Sequence, residues 1–255
     1  MNIDVEAAFV FGSLLAMARM IGFVIASPIY SKAIPMPGRI AFVTVLGFFF
    51  AGEGANPHTM GTLIAWLLAN LAVGIVLGFV TGLIFHLFTM AGAMIDFSSG
   101  LSIAQVFDPL SASRSAPFGR SFTIIALTIF FAIGGHRLVV EGMAASFQTI
   151  GLTGSLDLSP DLAAAAIELL SRSFVAALEL AMPVVTALFV TELVLGIASR
   201  FAPQSNVFMV GLPLKLIIAL SSVGVIVLLM PDSLDGAMRV MRDAFAQVVN
   251  GMAAG

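Results

Sequence analysis

The side chains that commonly perform catalysis are scarce in this 255-residue chain and are not arranged as a catalytic site. There is no cysteine, so thiol chemistry, a zinc ribbon and a disulfide scaffold are excluded. The three histidines, His58, His86 and His136, lack the spacing of metal ligands. The motifs H-E-x-x-H, G-x-S-x-G and G-x-x-x-x-G-K-S/T do not occur. We therefore expect no metal, no cofactor and no nucleotide hydrolysis.

Charged residues inside apolar stretches each cost several kcal/mol unless they are paired or hydrated, and six of them are singled out: Arg19, Glu168, Arg172, Glu179, Glu192 and Lys215. Glu168 and Arg172 are four residues apart, which places them on one helix face as an ion pair. Glu192 and Lys215 would meet if their helices form a hairpin around residues 200–206. A proton or ion relay is the functional alternative, but structural pairing at a subunit contact is favoured.

Three glycines, Gly74, Gly78 and Gly82, recur at four-residue intervals, and His86 continues the same face by one more turn. Such spacing stacks small residues on one side of a helix and lets another backbone approach closely. We expect a helix-packing face here, although the pattern does not say whether the partner helix belongs to the same chain.

The composition defines the surroundings of these residues. Hydrophobic residues make up 60% of the chain, charged residues only 10%, and the mean hydropathy is +1.10. An ordinary soluble domain carries about 25% charged residues, so this surface must meet lipid or other subunits. Only two lysines, Lys32 and Lys215, and a net charge of −3 argue against nucleic-acid binding. Alternation of period two is lacking over any useful length, which favours an all-α protein.

The apolar blocks fall at about 7–30, 40–51, 60–95, 121–151, 162–199 and 207–230. As one helix, block 60–95 would be about 54 Å long, whereas the hydrocarbon layer is about 30 Å thick. We therefore expect it to break at Gly82 or Gly92, to bend back, or to leave the membrane. Pro183 is expected to kink block 162–199.

The polar connections and the two ends add further expectations. The acidic N-terminus does not resemble a cleavable signal, and Lys32 and Arg39 after the first block place the N-terminus outside and this turn in the cytoplasm.

Segment 107–120 is the longest polar interruption, and Pro160 suits the first position of a helix. After Pro231 an amphipathic helix is expected, packing on its own protein or a partner or lying in the membrane interface, with its apolar face formed by Leu234, Met238, Met241, Phe245 and Val248.

Three stretches of sequence, in this order along the chain, resemble the FliR family of flagellar export-gate proteins. The first is Arg19-x-x-Gly22 followed by Pro28, Ile34-Pro35 and Arg39. The second is A-G-A-M-I-D-F-S-S-G-L-S-I-A-Q-V-F-D-P (91–109), and the third is S-R-F-A-P-Q-S-N-V-F-M-V-G-L-P-L-K (199–215). Virulence type III secretion systems use a homologous subunit, so the broader class is firmer than the flagellar assignment.

The resemblance implies an all-α fold of polytopic, membrane-associated helical hairpins, with a FliP-like part (1–160) followed by a FliQ-like hairpin (161–255). It also implies assembly with FliP-like and FliQ-like subunits in the bacterial inner membrane, at the flagellar basal body, next to FlhB-like and FlhA-like components. Segment 107–120 would project into the pore and help to plug it. The carried-over plug candidates are Phe107, Pro109, Leu110, Pro117 and Phe118.

The sequence is thus interpreted as a non-enzymatic subunit of an export channel for unfolded proteins. The chief alternative is an autonomous secondary transporter or channel for small solutes. Such a carrier is typically built from inverted repeats with polar sites at the midplane, and no convincing internal repeat is visible. An intramembrane enzyme is a third class, but nothing supplies a positioned base beside Asp96 and Ser98-Ser99-Gly100.

Overall fold

A computed structural model describes residues 3–52, 55–101, 117–153, 160–201 and 207–253. Helices account for 92% of these residues. In chain order they are α1 (Ile3–Ala26), α2 (Pro28–Ala33), α3 (Met36–Phe49), α4 (Met60–Ser99), α5 (Pro117–Ala132), α6 (Gly135–Ile150), α7 (Pro160–Phe201) and α8 (Val207–Ala253).

Four of these helices, α1, α4, α7 and α8, are long and apolar enough to cross a membrane. The pair α5 and α6, bent by 75° at their junction, would count as a fifth crossing if it forms one broken span. Within the described residues there is no strand. The prediction of an all-α polytopic membrane protein is therefore confirmed.

Helix α4 corrects one expectation, because it is continuous over 40 residues and does not break at Gly82 or Gly92. Both glycines are contact points between helices. A Cβ atom on Gly82 would lie 2.8 Å from Cδ of Pro28, and one on Gly92 would lie 2.5 Å from Cα of Gly119. At about 60 Å, α4 is twice as long as the hydrocarbon layer is thick, so part of it must lie outside that layer.

Three prolines lie inside the two last helices without ending them, and the kink expected at Pro183 stays a prediction. Helix α7 continues through Pro183, and α8 continues through Pro213 and Pro231. The amphipathic segment after Pro231 is thus the last part of α8, not a separate helix. Proline is tolerated in membrane helices where neighbouring groups satisfy the freed carbonyl.

The described chain divides into two compact units. The first contains residues 1–84, 134–170 and 238–255. Here α3 runs back along α1 and α2, as shown by Phe9 of α1 stacking on Phe48 (6.2 Å between ring centroids) and Tyr30 of α2 stacking on Phe42 (4.9 Å). Helix α4 follows α1 in the same direction along the glycine face.

The glycine face packs against α1 and the start of α2, which answers the question of its partner. A Cβ on Gly74 would collide with the carbonyl oxygen of Arg19, and one on Gly78 would lie 2.5 Å from the carbonyl oxygen of Phe23. From α1, a Cβ on Gly22 would likewise collide with the carbonyl oxygen of Leu71. Two helix backbones therefore touch here, and any larger residue would force them apart.

The end of α8 also belongs to the first unit. A Cβ on Gly142 in α6 would lie 2.5 Å from the ring of Phe245, so this ring lies directly on the α6 backbone. The apolar face predicted for the segment after Pro231 is largely buried within the chain, at Leu234, Met241, Phe245 and Val248. Of the alternatives open from sequence, packing on its own protein accounts for this face.

The second unit contains residues 85–133 and 171–237. In it the last part of α4 pairs with α5 in the antiparallel sense. Phe85 meets Phe130 edge to face at 5.2 Å, and the hydroxyl groups of Thr89 and Thr123 are hydrogen-bonded at 2.7 Å. Residues Phe85 and Phe130 are both buried, so these contacts form the core between the two helices.

Candidate gating and assembly site

A buried carboxylate joins the two helices that flank the candidate plug. Asp96 lies in the last turn of α4, and its side chain is fully buried. Its carboxylate accepts hydrogen bonds from the backbone N–H of Phe118 (3.0 and 3.2 Å to the two oxygens) and of Gly119 (3.1 Å). The N–H groups in the first turn of a helix have no acceptor within that helix, and here Asp96 supplies one. A carboxylate at a helix N-terminus satisfies them and matches the positive end of the helix dipole.

Helix α4 ends one turn beyond Asp96. Gly100 has φ +86°, a left-handed conformation that glycine adopts without strain, and its N–H donates to the carbonyl of Phe97 at 3.2 Å. The hydroxyls of Ser98 and Ser99 return to the α4 backbone at Met94 and Asp96. The polar run Ser98-Ser99-Gly100 therefore terminates a helix.

The C-terminal end of segment 107–120 belongs to a helix. Residues 117–120 are helical, because Pro117 occupies the first position of α5 and Asp96 supplies the missing acceptor. Pro117 is exposed, whereas Phe118 is buried and lies 6.3 Å from Phe122, centroid to centroid. The candidates Phe107, Pro109 and Leu110 lie outside the described residues.

A second buried polar cluster surrounds Arg19 of α1, which is 1% exposed. Nε and Nη2 donate to Oδ1 of Asn70 in α4 at 3.0 and 2.7 Å. Nη1 donates to the carbonyl of Ser146 at 2.8 Å, and Nη2 also bonds the carbonyl of Gly151. The ring of Phe147 lies 4.4 Å from the guanidinium carbon. The cation thus sits at the C-terminal end of α6, where the helix dipole favours positive charge.

Asn70 completes this cluster, although sequence reasoning did not single it out. Its amide nitrogen donates to the carbonyls of Trp66 and Leu152, both at 2.8 Å, while its oxygen receives Arg19. An amide inside a 40-residue apolar helix was the available signal. Asp96 belongs to the stretch 91–109 that carries the family resemblance and to the rejected hydrolase site, but no role was predicted for it.

The structure brings Glu192 of α7 and Lys215 of α8 together across the turn. Nζ of Lys215 lies 3.1 Å from Oε2 of Glu192, and the acid is 65% exposed in the single chain. Glu168 and Arg172 both lie exposed on α7, four residues apart, and their pairing stays a prediction. Glu179 is exposed on the same helix.

The hairpin of α7 and α8 exposes most of its apolar surface. In the most apolar stretch of each helix, 56% of residues are buried in α1 and 33% in α4, but only 22% in α7 and 11% in α8. An open groove of about 490 Å³ also lies beside α7 in the second unit, lined mostly by apolar side chains that include Met90, Met94 and Met182. On α7 the exposed large apolar residues extend along the whole helix, at Ile167, Leu170, Phe174, Val175, Met182, Phe189, Val190, Leu193, Val194, Ile197 and Phe201.

These features define a polytopic all-α membrane protein whose long outer helices leave apolar faces uncovered. Residues 10–241 match the family described as bacterial export proteins, family 1. The flagellar biosynthetic protein FliR of Bacillus subtilis is 30% identical over 223 residues, which is 85% of each chain. That of Caulobacter vibrioides is 27% identical over 256 residues, 98% of this chain and 99% of the relative. The surface presentation of antigens protein SpaR of Shigella sonnei is 26% identical over 193 residues, 75% of this chain and 73% of the relative. The chain belongs to this family of bacterial export proteins, the FliR family.

Proposed function

We propose that this chain is a structural, non-enzymatic subunit of the flagellar type III protein export gate. Together with FliP-like and FliQ-like subunits it would form the entry pore through which unfolded export substrates cross the bacterial inner membrane at the flagellar basal body, next to FlhB-like and FlhA-like components. Family membership supports the coarser statement, that the chain is a membrane component of a flagellar or type III export apparatus.

The observation that carries the proposal is the length of the uncovered apolar face on α7. Its exposed apolar residues extend from Ile167 to Phe201, which is about 51 Å along the helix. Even at a tilt of about 40°, the upper end of the usual range, this face would span about 39 Å. The hydrocarbon layer is only about 30 Å thick. The hydrocarbon layer alone therefore does not cover the whole face, and neighbouring polypeptides are the natural cover for the rest.

The start of α7 at Pro160 is compatible with the proposed division of the chain. Residues 1–160 would form the FliP-like part, and 161–255 the FliQ-like hairpin, whose first helix, α7, begins at Pro160. In the hairpin Lys215, which is only 14% exposed, pairs with Glu192, which is 65% exposed and lies on the surface. A subunit that covered this surface would bury both charges together, and because they are paired the cost of burying them would be reduced.

The segment ending at Arg120 is the proposed plug. Its apolar members Phe107, Pro109 and Leu110 would close the pore reversibly, while Pro117 and Phe118 form its base at the start of α5. The rival function, an autonomous carrier for small solutes, would require the apolar outer faces to be matched to lipid, and the length of the α7 face argues against it.

Replacing residues 110–116 by seven glycines and serines tests the plug while leaving Pro117 and α5 intact. We expect the assembled, closed gate to leak small ions, because Leu110 and its neighbours no longer fill the opening. The measurement is ion conductance across membranes that contain the assembled complex. A glycine and serine replacement of Leu156 and Asp157 in the stretch 154–157, which already contains Gly154 and Ser155, is the control and should leave the conductance low. An assembled complex with unchanged conductance in the first variant would overturn the assignment of the plug.

A further inference from the structure

Asp96 has an electrostatically unfavourable position with respect to its own helix. It lies in the last turn of α4, three residues before Ser99, where the dipole of that helix is negative and disfavours a carboxylate. A fully buried acidic side chain at this position gains nothing from α4 itself. Among the described residues, the groups that donate to this carboxylate belong to another element.

That element is α5. The carboxylate accepts from the N–H groups of Phe118 and Gly119 at 3.0–3.2 Å, and both belong to the first turn of α5. Bonds to an ionised acceptor are stronger than those between neutral groups, more so when water is excluded. One side chain therefore connects the end of α4 to the beginning of α5.

The backbone geometry next to this carboxylate leaves little room for adjustment. One turn before Asp96, Gly92 lies so close to Gly119 that a Cβ atom would meet both the nitrogen and the Cα of Gly119. The Thr89–Thr123 hydrogen bond follows one turn further from the plug. The ring of Phe118, which follows Pro117 at the start of α5, is buried, at 7% exposure.

We propose that Asp96 is a positioning residue, which holds the first turn of α5 against the end of α4 and so fixes the base of the plug in the closed gate. The proposal rests on the proposed function of segment 107–120. Thr89, which links the same two helices farther from the plug, offers the matched control: its loss weakens the α4–α5 contact without releasing the first turn of α5.

The local part of the proposal is tested in the full chain in mild detergent. Since the chain has no cysteine, Phe118→Cys provides a single thiol for a water-soluble maleimide. We expect Asp96→Asn, which keeps the shape of the side chain but removes its charge, to raise the labelling rate of that thiol about tenfold. With Thr89→Val in place of Asp96→Asn the rate should stay low. An unchanged rate in Asp96→Asn would overturn the proposal.

A thiol one turn further along α5 separates release of the first turn from unfolding of the helix. Phe122 is fully buried, so Phe122→Cys should stay unreactive with or without Asp96→Asn. If both thiols become reactive together, Asp96 only keeps α5 folded and the positioning role is wrong.

Ion conductance of the assembled gate tests the functional part. We expect the Asp96→Asn gate to conduct small ions. It should still conduct them when a disulfide between Thr89→Cys and Thr123→Cys holds the two helices together. The Thr89→Val gate should keep a low conductance. A leak abolished by the disulfide would show a merely structural role and overturn the proposal.

If the 110–116 replacement leaks and Asp96→Asn does not, the positioning role fails and the plug stands. If neither leaks while Phe118→Cys is labelled faster, the plug fails and the local contact stands.

Discussion

Arg19 shows how this protein accommodates a charge in an apolar interior. Within the described residues, its hydrogen bonds end on neutral oxygens: the amide of Asn70, the carbonyl and hydroxyl of Ser146, and the carbonyl of Gly151. Burial without a counter-ion is costly. The C-terminal carbonyls of α6 and the face of Phe147 replace the counter-ion here, since both present partial negative charge to the guanidinium.

We expect Arg19→Met to lower the free energy of unfolding by about 3–5 kcal/mol. The substitution leaves the oxygen of Asn70 and the α6 carbonyls buried without donors. Thermal unfolding of the chain in detergent measures the effect. Arg137→Met, at an exposed arginine in the first turn of α6, should change stability by less than about 0.5 kcal/mol. Equal effects of the two substitutions would contradict the structural role assigned to Arg19.

At the scale of residues, sequence reasoning identified Arg19 as an interior charge but not its partners. Asn70 and Ser146 are 51 and 127 residues away from it in sequence. A neutral amide and a helix end carry no charge pattern that would mark them as partners. Glu192 and Lys215, in contrast, have opposite charges on consecutive helices, and that simple relation was enough to suggest their contact.

Among the elements, α1 and α4 depend most directly on small residues. The two backbones touch along Gly74, Gly78 and Gly82, and small-residue contacts of this kind supply much of the packing energy between helices in a membrane. The four-residue spacing predicted this face from sequence. It could not distinguish a glycine that packs from a glycine that breaks a helix, and for that reason the break expected in α4 was wrong.

A single methyl group tests this contact. Gly74→Ala places a Cβ against the carbonyl of Arg19 and 2.9 Å from the backbone nitrogen of Phe23, so α1 and α4 must separate. We expect a loss of about 1–3 kcal/mol in stability. Gly224→Ala in α8, where a Cβ would have nothing within 4 Å, should be neutral or stabilise by up to about 1 kcal/mol. Chemical or thermal unfolding in detergent compares the two, and a stable Gly74→Ala protein would refute the close contact.

The continuity of the long helices marks the limit of what the sequence could predict for the elements. Hydropathy located the apolar blocks, and Pro160 correctly indicated the start of α7. Pro183, Pro213 and Pro231 lie inside helices because the cost of a proline depends on whether neighbouring groups satisfy the freed carbonyl. That information is tertiary, and it is absent from a local pattern.

For the whole molecule, the composition predicted the essential property: a surface too apolar for water. The structure adds where that surface lies. Helix α1 is more than half buried in its apolar stretch, whereas α7 and α8 are largely uncovered. The chain belongs to a family of bacterial export proteins, and the proposed cover of these two helices is other polypeptides of the export gate.

Photo-crosslinking in living cells tests this covering most directly. A photoreactive amino acid is placed singly at Phe174, Phe189 or Phe201, three exposed positions along α7, with the buried Leu188 as the matched control. If the hairpin is covered by sister subunits, at least one exposed position should form adducts with the FliP-like or FliQ-like protein, and Leu188 should form none. A chain that forms no protein adduct at any of the three positions, and is recovered as a monomer, would contradict the proposal.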